Sequence, residues 1–294
     1  MLCLATYAMG TRFELVLDGE DEPRLRAAGE EAFDVIHEWH ARLNRFAQDS
    51  QLSFINRTAP LRPVRTDVDL FQLLRFCGDI WQQSGGAFDP TVALALDSFR
   101  ASKEPAPQHI GMVHVLLDPE TLSVRYTHPQ LALDLGGIAK GFALDHAARV
   151  LRDSGIPTAL MHGGTSSIVA IGAPPGRTGW RVRIDSAGTP VFCTLRDMHL
   201  SVSCASSEAT RSHILDPRAG RFIPEDRTAC VIAPSGVMAE AWSTALCVLG
   251  HRPAQLVSVT TALHDQGRGW RIEGDSNYFF EDPGVSEAPA LEVA

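Results

Sequence analysis

"DLGGIAKGFALDHAARVL", Asp134 to Leu151, sets a Gly-Gly pair and a lysine ahead of a segment with the periodicity of an amphipathic helix. Orphan N–H groups at a helix N-terminus, backed by the helix dipole, attract negative charge. Glycines let a backbone approach a ligand closely and the lysine adds a cation, so the stretch reads as an anion corner. It fits neither G-x-G-x-x-G nor the P-loop spacing, which leaves a Rossmann or Walker site unsupported. Lys140 reads as a solvated lysine or as a phosphate contact, and Asp134 as a ligand or, in preference, as a residue that orients the turn.

Outward from that corner the pattern is mixed. The N-terminal segment alternates like a strand, with Phe13, Leu15 and Leu17 on one face. Glu22 to Phe46 repeats Ala28, Ala32, Val35, Ile36, Trp39 and Leu43 at helical spacing. Thr66 or Asp67 caps a second helix that runs through Leu70, Leu73, Leu74 and Ile80 to Trp81 and stops at "SGGAFDP". "RASKEPAPQHIG" is a loop of turn formers, and "MVHVLLD" and "SVRYTH" make a strand pair. "LALDLGG" reads as a short buried strand and "TALMHGGTSSIVAIG" as a strand with a glycine break. "WRVRID" alternates, "TACVIAP" delivers a helix from about Met238 to Gly250, and "LVSVTTAL" and "RGWRIEG" are closing strands. Helices clustered early and single later, among many short strands, predict an α+β fold. Residues 282–294 read as a loose tail.

Bulk properties exclude several classes. A chain of 294 residues with 45% hydrophobic and 21% charged residues is an ordinary globular one. Its formal net charge of -9 argues against a general nucleic-acid surface. No run of 18 apolar residues exists, so no membrane span is expected. Six cysteines without a C-x-x-C pair read as small buried hydrophobes in a reducing compartment. The N-terminus lacks a basic segment and a cleavage pattern, so the chain as given reads as cytoplasmic; an upstream signal would make it periplasmic.

Two further stretches carry candidate chemistry. In "MAEAWSTALCVLG", Glu240 and Thr244 are four apart and share a helix face, offering oxygen ligands to a hard cation such as Mg²⁺. The same pair also suits a helix-dipole glutamate and a threonine bonded to its own helix. In "SHILDPRAGRF", His213 and Asp216 lie three apart; His213 is either structural or a general base beside a metal-bound phosphate.

Together these segments resemble the ApbE family of flavin transferases, with six motifs in the family's order. They are M-G-T-x-F at Met9 to Phe13, G-G-A-F-D-P-T at Gly85 to Thr91, and D-L-G-G-I-A-K-G at Asp134 to Gly141. H-G-G-T-S-S follows at His162 to Ser167, then H-I-L-D-P-R-x-G at His213 to Gly220 and A-[DE]-A-x-S-T-A-L at Ala239 to Leu246. The resemblance implies a T-fold-related α+β catalytic domain over residues 1–281, with two interleaved subdomains and a central crevice for FAD. It implies Mg²⁺-dependent transfer of FMN from FAD to a Thr or Ser hydroxyl of an acceptor flavoprotein, through a phosphoester bond, with release of AMP. By position, Glu240, Thr244 and the main-chain carbonyl of Gly137 would hold Mg²⁺, Lys140 would meet the pyrophosphate, and His213 would deprotonate the acceptor. Met9, Gly86, Ala87, Phe88 and Asp89 would wall the flavin or adenine, with Asp134, Gly163, Gly164 and Thr165 completing the FAD site.

Three features depart from the family pattern. Glu240 stands where Asp is usual, which moves the carboxylate outward by about one bond length, and Mg²⁺ tolerates geometric error poorly. The stretch before His213 is short, and the sequence as given shows neither an export signal nor a lipid-attachment cysteine, from which a cytoplasmic acceptor is expected. No D-G-x-T-x-A-T segment occurs within the chain, so self-modification is not expected. The departures keep two other activities in view: an FAD pyrophosphatase yielding FMN and AMP, and a non-catalytic flavin-binding protein.

Overall fold

Phe13, Leu15 and Leu17 are each fully buried, a burial of about 1.5–3 kcal/mol per side chain, and they anchor the second strand of an N-terminal hairpin. The computed structural model describes residues 1–102, 110–205, 214–223, 226–265, 267–275, 277–280 and 291–293. The chain begins with β1 (Leu2–Ala8), β2 (Thr11–Leu17), α1 (Glu22–Leu43), α2 (Gln51–Thr58), β3 (Val64–Arg65), α3 (Val68–Gln83) and α4 (Ala93–Ser102). A 3₁₀ turn (Met112–His114) leads to β4 (Val115–Asp118), β5 (Ser123–Tyr126), α5 (Ala139–Asp153), β6 (Ala159–Gly163), β7 (Ser167–Ile171) and β8 (Trp180–Ser186). Next come β9 (Thr189–Leu195), β10 (His199–Ala205), β11 (Leu215–Asp216), β12 (Arg221–Phe222), β13 (Arg227–Ala233) and α6 (Gly236–Leu249). The chain closes with β14 (Thr260–Asp265), β15 (Gly269–Glu273), β16 (Phe279–Phe280) and β17 (Leu291–Val293).

An eight-stranded sheet in the order β1-β2-β6-β7-β10-β13-β14-β15 organises the α+β fold, and every pair in it is antiparallel. Strand alternation sends successive residues to opposite faces. Leu15, Met161, Val169, Ala229 and Val231 join a core shared with α1, α3, α5 and α6. Leu160, Ile168, Leu200, Cys230 and Ile232 pack on the other face against Val182, Ile184, Val191 and Leu195 of β8 and β9. The layers are therefore helices, large sheet, small sheet, the small one ordered β16-β9-β8-β17. Among the described residues, no helix is long and apolar enough to cross a membrane.

Local signals place most elements. Asp67 caps α3 by accepting the Leu70 N–H at 3.0 Å, and α1 ends three residues before the expected Phe46, at Leu43. Other expectations need correction. "LALDLGG" is no strand; only Ala132 bridges, to Val92, because the Asn56 side chain takes both backbone groups of Leu133 at 2.9 Å. The glycine-broken strand is a hairpin, β6 and β7, paired from Ala159↔Ile171 to Gly163↔Ser167. Ala93–Ser102 is helical where "RASKEPAPQHIG" begins as a loop in the sequence reading, and residues 103–109 lie outside the described ones. Leu291–Val293, assigned above to a loose tail, pairs in parallel with β8. Four cysteines are buried as expected, but Cys3 and Cys204 are exposed, and all six are free thiols.

Candidate functional site

The helix pair α5 and α6 sets the floor of a cavity of about 480 Å³. The two backbones touch: a Cβ on Gly141 would lie 2.3 Å from the Gly236 carbonyl oxygen and 3.1 Å from Glu240 Cγ. Only glycine at both positions permits that approach. Asp145, one turn further along α5, caps α6 by accepting from Gly236 N at 2.7 Å and Val237 N at 3.1 Å. Burial pushes the Asp145 carboxyl up to about 6, against the pull of those two N–H groups, with the Glu240 charge adding to the rise. His199 Nε2 stands 3.1 Å from Asp145, and its own ionisation is pushed down to about 3 by burial and by Arg152.

Glu240 and Thr244 project from α6 into the cavity, one helical turn apart. Glu240 is 2% exposed. Its Oε1 accepts the Ser167 hydroxyl and lies 3.3 Å from Lys140 Nζ, whereas its Oε2 is buried without a hydrogen-bond partner among the described residues. Thr244 Oγ1 is 3.4 Å from Ser203 Oγ, and it lies 3.6 Å from where a Gly137 Cβ would stand. Ser243, facing the sheet, bonds Ser201 and Ser203 at 3.0 and 2.8 Å and fixes the helix against β10.

A partly buried ion network holds the Gly-Gly turn. The Arg45 guanidinium grips both oxygens of Asp97 at 2.8 Å, and its Nε donates to Asp134 Oδ2 at 2.7 Å. Asp134 Oδ1 accepts from Gly136 N at 2.8 Å. The hydrogen bond and charge of Asp97, with Asp134 assisting, hold the Arg45 pKa above its ordinary value despite burial.

The opposite wall is the Gly85–Thr91 turn. Asp89 accepts from Trp81 Nε1 at 3.0 Å, Thr91 N at 2.8 Å and Thr91 Oγ1 at 2.6 Å. Burial pushes its carboxyl up to about 6, with those donors opposing. Gly86 opens on an adjoining groove beside Trp81 and Arg218.

Of the residues proposed from sequence, the cavity brings together Ala87, Phe88, Asp89, Asp134, Gly137, Lys140, Thr165, Glu240 and Thr244. Met9, Gly163 and Gly164 do not line it. Met9 turns the β1–β2 hairpin at φ 50° and donates its N–H to His40 Nδ1 at 3.0 Å. The missing side chains of Gly163 and Gly164 make room for the Phe13 ring and Thr11 Oγ1, each 2.6 Å from a would-be Cβ. His213 lies outside the described residues, although Ile214 and Leu215 after it line the cavity. Sequence reading missed Arg45, Asn56, Asp97, Asp145, Ser167 and Ser203. Two of them had a local signal: Asp145 lies five residues after Lys140 on the helix face that meets α6, and Ser167 closes the H-G-G-T-S-S motif.

The cavity suits a single hard cation with oxygen ligands. Among the described residues no group of three His, Cys, Asp or Glu side chains converges. One carboxylate, one hydroxyl and one backbone turn match a Mg²⁺ that keeps waters and takes its other ligands from phosphates. The unpartnered Glu240 Oε2 is the atom such an ion would satisfy.

The chain resembles known proteins over most of its length. It is 28% identical over 270 residues to the FAD:protein FMN transferase of Rhodobacter capsulatus, covering 83% of this chain and 50% of that protein. It thus spans half the length of that relative. The FAD:protein FMN transferase of Klebsiella pneumoniae is 26% identical over 276 residues, 85% of this chain and 79% of that one. In fold it is similar to the ApbE protein of Thermotoga maritima, with TM-score 0.80 and 22% identity over 92% of this chain and 96% of the other. The flavin transferase ApbE of Vibrio cholerae gives TM-score 0.81 and 20% identity over 94% and 97%. The sequence pattern of the ApbE family matches residues 9–263, and the chain belongs to that family.

Proposed function

We propose that the protein is a Mg²⁺-dependent FAD:protein FMN transferase. The observation that carries this reading is that Glu240, whose buried Oε2 has no hydrogen-bond partner among the described residues, lines a cavity together with Thr244, Gly137 and Lys140. The relatives named FAD:protein FMN transferase support the substrate. FAD is consumed: the acceptor hydroxyl attacks the FMN phosphorus, the bond to the AMP oxygen breaks, and AMP leaves. Glu240, Thr244 and the Gly137 carbonyl would hold Mg²⁺, which supplies charge neutralisation at the phosphate oxygens.

The chain's own residues position the reactants, which is most of what phosphoryl transfer requires. Lys140 places a cation beside the pyrophosphate, and Asp134, which takes the Gly136 N–H and is itself held by Arg45, fixes the backbone of the Gly-Gly turn beside it. His213 would take the proton from the attacking Thr or Ser hydroxyl. Glu240 fits in place of Asp because Gly141 leaves room beside its Cγ. Incubation with FAD, MgCl₂ and an acceptor flavoprotein should yield a fluorescent covalent band that is absent when EDTA is added. A chain that binds FAD but labels no acceptor, whether FAD is hydrolysed to FMN and AMP or stays intact, overturns this function.

A further inference from the structure

The two oxygens of Glu240 are in different states. Oε1 is occupied by the Ser167 hydroxyl and the Lys140 ammonium, while Oε2 has no partner. Ser167 is 1% exposed and opens β7, where its backbone pairs with Gly163 on one side and Ser201 on the other. A hydroxyl on a strand paired along both edges is a fixed donor, since such elements hold a side chain more narrowly than loops do. Glutamate by contrast turns freely about its last torsion, which is broad and two-fold. Unrestrained, its carboxylate can offer a cation one oxygen or both. Mg²⁺ requires near-octahedral single-oxygen donors, whereas Ca²⁺ is larger and accepts both oxygens of one carboxylate.

We propose that Ser167 is a positioning residue that confines Glu240 to single-oxygen donation through Oε2 and thereby selects Mg²⁺ over Ca²⁺; the inference rests on the cation site of the proposed function. Its hydroxyl touches the carboxylate of Glu240. The departure from Asp to Glu gives the pin its purpose: the longer side chain gains a torsion, and the serine removes that freedom.

Calorimetric titration of the full chain with FAD bound, using MgCl₂ and separately CaCl₂, reads both affinities without any turnover. Ser167→Ala should lower Mg²⁺ affinity about 10–100-fold and leave Ca²⁺ affinity nearly unchanged, while Ser167→Thr, which keeps the hydroxyl, should retain the wild-type ratio. A Ser167→Ala protein with the wild-type Mg²⁺ to Ca²⁺ ratio overturns the inference and leaves the proposed function standing. If Ser167→Ala fails to fold, the wild type decides: equal affinity for the two ions overturns the selection, and preference for Mg²⁺, shared by Ser167→Thr, supports it. A wild type that binds FAD but neither ion removes this inference together with the proposed function.

Discussion

The Gly85–Thr91 wall and the α6 wall each bring a buried carboxyl group to the same cavity, and the two groups are served differently. Asp89 receives three donors from Trp81 and Thr91, which use both of its oxygens. Glu240 receives the Ser167 hydroxyl and the Lys140 cation on one oxygen and nothing on the other. Burial of a charge is costly unless it is paired and hydrogen-bonded. A carboxylate satisfied on every side holds a turn together, whereas one with an oxygen to spare is built for a ligand. In the proposed function Asp89 accordingly serves architecture and Glu240 the ligand.

The sharpest way to break that contrast is Glu240→Gln. FMN transfer should fall at least about 100-fold, with little change in melting temperature, because the buried charge removed offsets the lost ion pair with Lys140, which water still reaches. A variant with normal transfer, or one lost mainly to unfolding, would erase the distinction. Asp89→Ala should do the reverse. It strands the Trp81 and Thr91 donors at a cost of about 3 kcal/mol, measurable by urea denaturation, and reduces transfer only in proportion to unfolding.

Thr244→Val keeps the shape and removes the hydroxyl. It should raise the Mg²⁺ concentration needed for half-maximal transfer about tenfold, with kcat at saturating Mg²⁺ largely retained. An unchanged Mg²⁺ requirement would take Thr244 out of the site. The smallest effect concerns pH. Because the folded Asp89 carboxyl ionises at about 6 against 3.8 in the open chain, it holds its proton more tightly when folded. Its contribution to stability is therefore greatest near pH 4 and declines as pH rises through about 6. The stability difference between wild type and Asp89→Asn should shift against the wild type by on the order of 1 kcal/mol over that range. A flat difference would show that Asp89 titrates normally.

What the sequence disclosed divides by distance along the chain. Asp67 as a cap, the α1 stripe and the Glu240–Thr244 face are legible because each signal is complete within a few residues. The contacts that finish the site are not. Asn56 reaches 77 positions to Leu133, Arg45 reaches 89 to Asp134, and Ser167 reaches 73 to Glu240. Nothing near an asparagine announces that its amide will replace a strand partner, which is why "LALDLGG" reads as a strand and is not one. Gly163 and Gly164 misled for a related reason: a glycine pair looks the same whether it clears space for a cofactor or for Phe13 and Thr11. The resemblance to a family supplied positions for the ligands and for Asp134, but not for Arg45 or Asn56, whose partners lie far along the chain.

The contact between Gly141 and Gly236 has a consequence for motion. No side chain separates α5 from α6 there, so the spacing of the two helices that carry Lys140 and Glu240 is a main-chain dimension. Rotamer hopping on the picosecond-to-nanosecond scale leaves such a dimension alone. Only a joint parting of the two helices can widen it, and deuterium should enter the amides along that seam late and together.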